Sequence, residues 1–308
     1  MNKCLITKLN GSCNNANLLR IGEMRVHFAK VDSPTASTQG KAFCFDKDAE
    51  LEIIGDAYFT DQNLSANLGK KITVPANNEA GFFVSNANCD VLILDKYSLT
   101  KVQEWVAYMA AYSKNISFTL EDLKYSAALN SISMSDAIIT GDIANLKDLT
   151  SLTKLRLPKT QVSGDIANLK NLTSLTTLDL NGTSITGDIA QLESCPNIGY
   201  FRATNNVTGD LAKLPAKCYF VSLKGDNTTT YTWTSRSSSS NIFAVEGNIT
   251  VTNIDKMLQD LAQCQAAIPA SGENWFKTIS LIGTRTSASD AAVQTLQSKG
   301  YTVSITPA

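Results

Sequence analysis

From Leu129 to Leu223 the apolar residues recur with a fixed spacing. Leu152, Leu155 and Leu157 form a Leu-x-x-Leu-x-Leu core, which recurs at Leu175, Leu178 and Leu180. Looser copies follow at Ile198, Phe201 and Ala203 and at Cys218, Val221 and Leu223; Leu129, Ile132 and Met134 fit the same frame upstream. A second string keeps step with the first. Thr-Gly-Asp-Ile-Ala-Asn-Leu starts at Thr140, and near copies start at Ser163, Thr186 and Thr208. Side chains alternate along a strand, so Leu155 and Leu157 point inward while Lys154 and Arg156 point out. Asn181-Gly182 then marks a turn. Ile185 and Ile189 return inward, and Asp-Ile-Ala-x-Leu forms a helical or 3-10 turn. One such coil cannot bury its own apolar edge, whereas stacked coils bury it against each other and pair their strands in parallel.

The resulting period, about 23, falls in the leucine-rich-repeat range. The pattern predicts an α/β leucine-rich-repeat solenoid over residues 125–225. Before it, six β-rich runs between residues 20 and 95 predict a small β-rich N-terminal domain, residues 1–95. Asp95 to Lys114 reads as a helix capped by Ser98, with Val102, Trp105, Val106, Met109 and Tyr112 on one face. That helix, in segment 96–124, would cap the solenoid, and its aromatic stripe is either a partner groove or a face packed on the first repeat. After the repeats, residues 226–308 predict a strand-helix C-terminal cap: strands at Thr230–Thr234, Ile242–Val245, Thr278–Ile282 and Tyr301–Ile305, and helices near 253–267 and 287–299. Gly300 suits the helix-terminating position.

Composition narrows the function. The net charge is -1, which offers no basic footprint for nucleic acid or anionic lipid. No apolar run is long enough to span a bilayer, and Met1–Gly11 lacks the apolar core of a signal peptide. Seven scattered cysteines without a Cys-x-x-Cys pair fit free thiols. A single histidine, His27, excludes most His-based metal and nucleophile sites. Nucleotide, zinc-protease and serine-hydrolase motifs are missing as well, so no enzyme and no cofactor are expected. A carbohydrate-acting enzyme is the remote alternative. Asp142, Asp165, Asp188 and Asp210 form a ladder at one repeat position. They are either N-caps of the following turns or a calcium-binding column, although each coil lacks the second acidic ligand that calcium needs.

The outward strand positions are Ser131, Ser133, Lys154, Arg156, Thr177, Asp179, Tyr200, Arg202, Phe220 and Ser222. They line the concave face, where a partner would bind if that face is more than solvated sheet. The candidate contacts are Lys154, Arg156, Thr177, Asp179, Tyr200, Arg202 and Phe220, the aromatic and arginine members being the residue types that dominate binding energy.

Several stretches carry a family likeness: Val-Ser-Gly-Asp-Ile and Ile-Thr-Gly-Asp-Ile within the repeats, Asn17–Val26, Asn67–Ala76, Phe82–Asn86 and Thr284–Val303. With them the chain resembles leucine-rich-repeat proteins of Bacteroides-group gut bacteria and their tailed phages. The resemblance implies a non-enzymatic virion component such as a fibre, decoration or adaptor protein. Its partners would be other virion proteins or a host surface receptor, with a homo-oligomer possible. A chain without an export signal suits a virion protein made in the host cytoplasm and released by lysis. The alternative is a bacterial interaction module or surface adhesin.

Overall fold

The computed structural model describes residues 24–28, 43–45, 49–58, 71–74, 85–93, 102–106, 116–124, 126–127, 129–204, 206–224, 228–232, 236–266 and 277–308. The chain opens with β1 (Met24–Phe28), β2 (Phe43–Phe45), β3 (Ala49–Tyr58), β4 (Lys71–Val74) and β5 (Ser85–Ile93). β5 lies between β1 and β3, β4 borders β3, and all of these pairings are antiparallel. Five of the six β-rich runs expected between residues 20 and 95 overlap these strands; the sixth, Gly81–Ser85, lies outside the described residues except for Ser85.

The expected helix over Asp95–Lys114 is not what forms at its centre. β6 (Val102–Val106) is a strand, parallel to β8 (Ser131–Ser133), with β7 (Ile116–Thr119) and the one-turn helix α1 (Leu120–Leu123) between them. Trp105 stands opposite Ile132, and β2 pairs with the other edge of β6. The 102, 105, 106 spacing satisfies a helix in isolation, but a parallel neighbour and the β-branched Val102 and Val106 favour the extended chain. Ser98, Met109 and Tyr112 lie outside the described residues.

From there the solenoid is regular. Each coil has two strands: β8 and β9 (Ile138–Asp142), β10 (Lys154–Arg156) and β11 (Gln161–Asp165), β12 (Thr177–Asp179) and β13 (Ser184–Asp188), β14 (Tyr200–Thr204) and β15 (Val207–Asp210), then β16 (Phe220–Lys224) and β17 (Thr228–Thr230). The first strands form one parallel ladder, in which Ile132, Leu155, Leu178, Phe201 and Val221 lie in register. The second strands form another, from β7 through β9, β11, β13 and β15 to β17. β18 (Ala244–Val251) joins the two, pairing with β16 through its first half and with β17 through its last residues. The sheet continues through α2 (Ile254–Gln263), β19 (Thr278–Ile282), α3 (Asp290–Ser298) and β20 (Thr302–Thr306). Of the strands expected here, Thr278–Ile282 and Tyr301–Ile305 fall on β19 and β20, Ile242–Val245 meets β18 only at Ala244 and Val245, and Thr230–Thr234 shares only Thr230 with β17, with Trp233 and Thr234 outside the described residues.

The repeated leucines and isoleucines are fully buried between the ladders, each contributing roughly 1.5–3 kcal/mol. In the cap, buried Asp260 accepts hydrogen bonds from the Arg236 amide and the Tyr231 hydroxyl, tying the chain between β17 and β18 to α2. Cys195, Cys218 and Cys264 are buried free thiols.

Each second strand ends in Gly-Asp, and the aspartate starts a 3-10 turn. Asp142, Asp165, Asp188 and Asp210 accept from the amides of Ala144, Ala167, Ala190 and Ala212 at 2.8, 2.8, 2.8 and 2.9 Å. The ladder is therefore a column of N-caps. The preceding glycines have positive φ, +113° at Gly164 and +119° at Gly187. At both positions a Cβ would collide with the capping Oδ1 of the coil before, Asp142 or Asp165. Thr119 opens the column. Its hydroxyl caps α1 through the Glu121 amide at 3.0 Å and lies beside the place a Gly141 Cβ would occupy. Thr119 stands one repeat period before Asp142, and Leu120 and Leu123 repeat the buried positions of Ile143 and Leu146. The repeating frame therefore starts before the expected boundary at position 125. At the far end Thr232 donates to Asp210 through its amide and its hydroxyl, where the earlier coils have glycine.

Gly187→Ala should lower stability by about 2–3 kcal/mol, from the left-handed backbone and the displaced cap. Asp165→Ala alone should cost about 1 kcal/mol. The double variant should cost less than the sum of the two, because shortening Asp165 clears the space that a side chain at 187 needs. Urea unfolding midpoints measure all three, and strict additivity would refute the contact.

A second expectation concerns alkaline pH. Burial pushes the Cys218 thiol up from 9.0 to about 12, against smaller pulls from Arg236 and the Phe220 main chain. The folded thiol keeps its proton where the unfolded one has lost it, so this stability is present below pH 9 and lost as pH rises toward about 12. The slope is about 1.4 kcal/mol per pH unit for one group. Cys218→Ala should flatten the pH dependence of the urea midpoint over that window by about one proton.

Candidate binding surface on the concave sheet

Backbone register fixes which side chains share the outer face of the first ladder. One row runs Ser133, Arg156, Asp179, Arg202, Ser222 and Glu246; the adjacent row runs Ser131, Lys154, Thr177, Tyr200, Phe220 and Ala244. Every position read as outward-facing from the sequence shares this outer face, and Arg156 and Arg202 are outside the core as the alternation requires.

Depth divides them. Lys154 and Arg156 are exposed, Thr177, Tyr200 and Arg202 are half-buried, and Asp179, Phe220 and Ser222 are only 1%, 3% and 1% exposed. Outward direction on a strand does not ensure access to solvent, because large neighbours on adjacent strands cover the smaller or deeper side chain. Asp179 is covered by an arginine on each side. Its Oδ2 lies 3.8 Å from Arg156 Nη2 and 4.0 Å from Arg202 Nη1, and its Oδ1 accepts from the Asn181 amide at 3.2 Å. Phe220 is covered by Tyr200, whose ring stacks on it with centroids 4.7 Å apart and planes 16° from parallel. These two buried residues shape the face from beneath, while Lys154, Arg156, Thr177, Tyr200 and Arg202 present it.

Arg202 is the centre of the arrangement. It reaches Asp179 on one side and Glu246, at 3.9 Å, on the other. Glu246 belongs to the C-terminal cap and has no counterpart in the repeats; only the β16–β18 register reveals it. Burial opposes the charge of Arg202, but Tyr200, Asp179 and Glu246 together hold its proton more firmly than usual. Burial also raises the Tyr200 phenol, partly offset by Arg202, so Tyr200 stays a neutral hydroxyl. At the base of the row, Ser222 Oγ and Arg202 Nε are buried without hydrogen-bond partners among the described residues. Groups of three or more histidine, cysteine or acidic residues able to hold a metal ion do not occur among the described residues. None of the described helices is long and apolar enough to cross a membrane.

No protein-family model matches the chain and no curated protein matches its sequence. Solved structures similar to it include internalin C2 of Listeria monocytogenes, 16% identical over 70% of this chain and 86% of that one, with a TM-score of 0.45. Internalin InlF of the same organism is 14% identical over 70% of each chain, with a TM-score of 0.34. The ectodomain of BIR2 from Arabidopsis thaliana is 20% identical over 45% of this chain and 65% of that one, with a TM-score of 0.29.

The charge row sets an order of stability effects. Asp179→Ala should cost about 1–3 kcal/mol, since it removes a buried acceptor and leaves two guanidiniums without their shared carboxylate. Arg156→Ala, at the exposed end, should cost under about 1 kcal/mol. Denaturant midpoints that reverse this order would show that Asp179 does not organise the row.

Proposed function

We propose that this chain is a binding module without catalytic chemistry of its own, which captures a protein or peptide on the concave sheet. Lys154, Arg156, Thr177, Tyr200 and Arg202 are the contacts. The observation that carries the reading is the support beneath Tyr200 and Arg202. Tyr200 rests on Phe220, and Arg202 is held between Asp179 and Glu246. An aromatic ring and a guanidinium fixed before the partner arrives lose little freedom on binding, and these two residue types dominate interface energies.

A random peptide library panned on the immobilised chain tests the proposal. Enriched peptides should bind the wild type and lose at least roughly tenfold in affinity on the Tyr200→Ala/Arg202→Ala variant, each truncated anchor being worth over about 1 kcal/mol. Gln294→Ala on α3 should bind as the wild type does. Equal binding to all three proteins would reject the concave face.

The finer reading is a virion component of a phage of gut bacteria, acting toward other virion proteins or a host receptor. It rests on the sequence stretches that resemble such proteins. Mass spectrometry of purified particles from the source phage tests it, and absence from the particle would leave a bacterial interaction module or adhesin.

A further inference from the structure

β20 closes the described sheet and is paired on one side only. The Thr302 amide donates to the Lys277 carbonyl at 2.7 Å, and the Thr306 carbonyl accepts from the Gly283 amide at 2.9 Å. By alternation the main-chain groups of Thr302, Ser304 and Thr306 face β19. Those of Val303 and Ile305 face away and meet no strand among the described residues. Edge strands are ordinarily guarded by a lysine, an internal proline, a bulge or a covering segment. Thr-Val-Ser-Ile-Thr carries no lysine, proline or bulge, no segment among the described residues pairs with its outer side, and Thr302, Ser304 and Thr306 are exposed.

We propose that β20 pairs antiparallel with β20 of a second copy of this chain, about a two-fold axis through Ser304. The strand is self-complementary in that register: Thr302 faces the partner's Thr306, Val303 faces the partner's Ile305, and Ser304 faces its own copy. A two-fold interface needs this, because one patch must fit itself. The residues whose main-chain groups point outward, Val303 and Ile305, are the ones this axis brings together as hydrogen-bonded pairs. Two such pairs make four N–H···O bonds. The next pair outward would be Tyr301 with the partner's Pro307. Proline has no amide to give, and the Tyr301 amide already donates to the Leu296 carbonyl at 3.0 Å. The ladder therefore ends where the strand ends. Val303 and Ile305 are half-buried and pack against the core, so pairing also covers their remaining apolar surface.

Charge favours a second copy as the occupant. From Ala291 to Ala308 the only charged side chain is Lys299. Its ammonium donates to the carbonyls of Ala262 and Cys264 at 2.6 and 2.7 Å. Two identical ends can approach without the like-charge repulsion that ordinarily keeps identical surfaces apart. Four main-chain bonds on one short strand make a small interface, so the dimer is weak and depends on concentration.

Sedimentation of the full chain over a concentration series tests this, with Ser304→Lys and Ser304→Glu as variants. The Ser304 side chain lies outside the core, so each variant should keep the wild-type circular dichroism spectrum and urea midpoint. The wild type should move from monomer to dimer mass. Each variant should self-associate on the order of tenfold more weakly, since like charges then meet across the axis. An equimolar mixture of the two should recover the dimer. Amide exchange at Val303 and Ile305 in the wild type should slow as concentration rises. A wild type that stays monomeric overturns the proposal. So does undiminished self-association of both variants, or a mixture no more dimeric than its components.

Discussion

The solenoid depends on one contact repeated down its length, a capping side-chain oxygen seated against the glycine of the next coil. Each aspartate oxygen starts the 3-10 turn of its own coil and fills the space beside the following glycine that a Cβ would need. The cap is local and the fit is between coils, so a single residue fixes both the shape of a coil and its distance from its neighbour. Thr119 supplies the first oxygen, and Thr232 satisfies the last carboxylate where no glycine follows. The column is thus closed by hydroxyl groups at both ends. A calcium column would need these carboxylates to face additional oxygen ligands; they face amides, glycines and, at Asp210, one threonine hydroxyl instead.

Once the coils are locked in this way, the layout of the outer face of the first ladder follows from register. Residues one period apart become cross-strand neighbours at about 4.8 Å, close enough for one side chain to support the next. Asp179 can serve two arginines only because it lies on the strand between them. Tyr200 and Phe220 stack because they are opposite in register, although Phe220 comes earlier in the sequence than the regular period would place it. The coil between them is shortened, and the strand pairing absorbs the difference. The last charged member of the row comes from the cap, which makes Arg202 the junction between the repeats and the strand-helix segment.

Much of this is legible in the sequence, and the exceptions have physical causes. The inward leucines and the helices α2 and α3 are encoded locally by periodicity, the Asp-Ile-Ala-x-Leu turns by their cap residues, and local reading finds them. The strand at Val102–Val106 is decided by its partner at Ser131–Ser133, a pairing that spacing within one segment cannot express. Thr119 escapes because a hydroxyl replaces the carboxylate of the motif, although its offset of one period and the leucines after it keep the frame. Alternation gives the direction of Asp179, Phe220 and Ser222 correctly but not their depth, which depends on the size of neighbours contributed by other coils.

β18, which spans both ladders, marks a change in how the coils are spaced. Before it, each coil returns through a short 3-10 turn that stacks as closely as the strands do. After it, the return is made by α2 and α3, and neighbouring helices require about 8–10 Å between axes where the strands β18, β19 and β20 still require only about 4.8 Å. An array whose outer layer repeats at nearly twice the spacing of its inner layer has to bend toward the inner one.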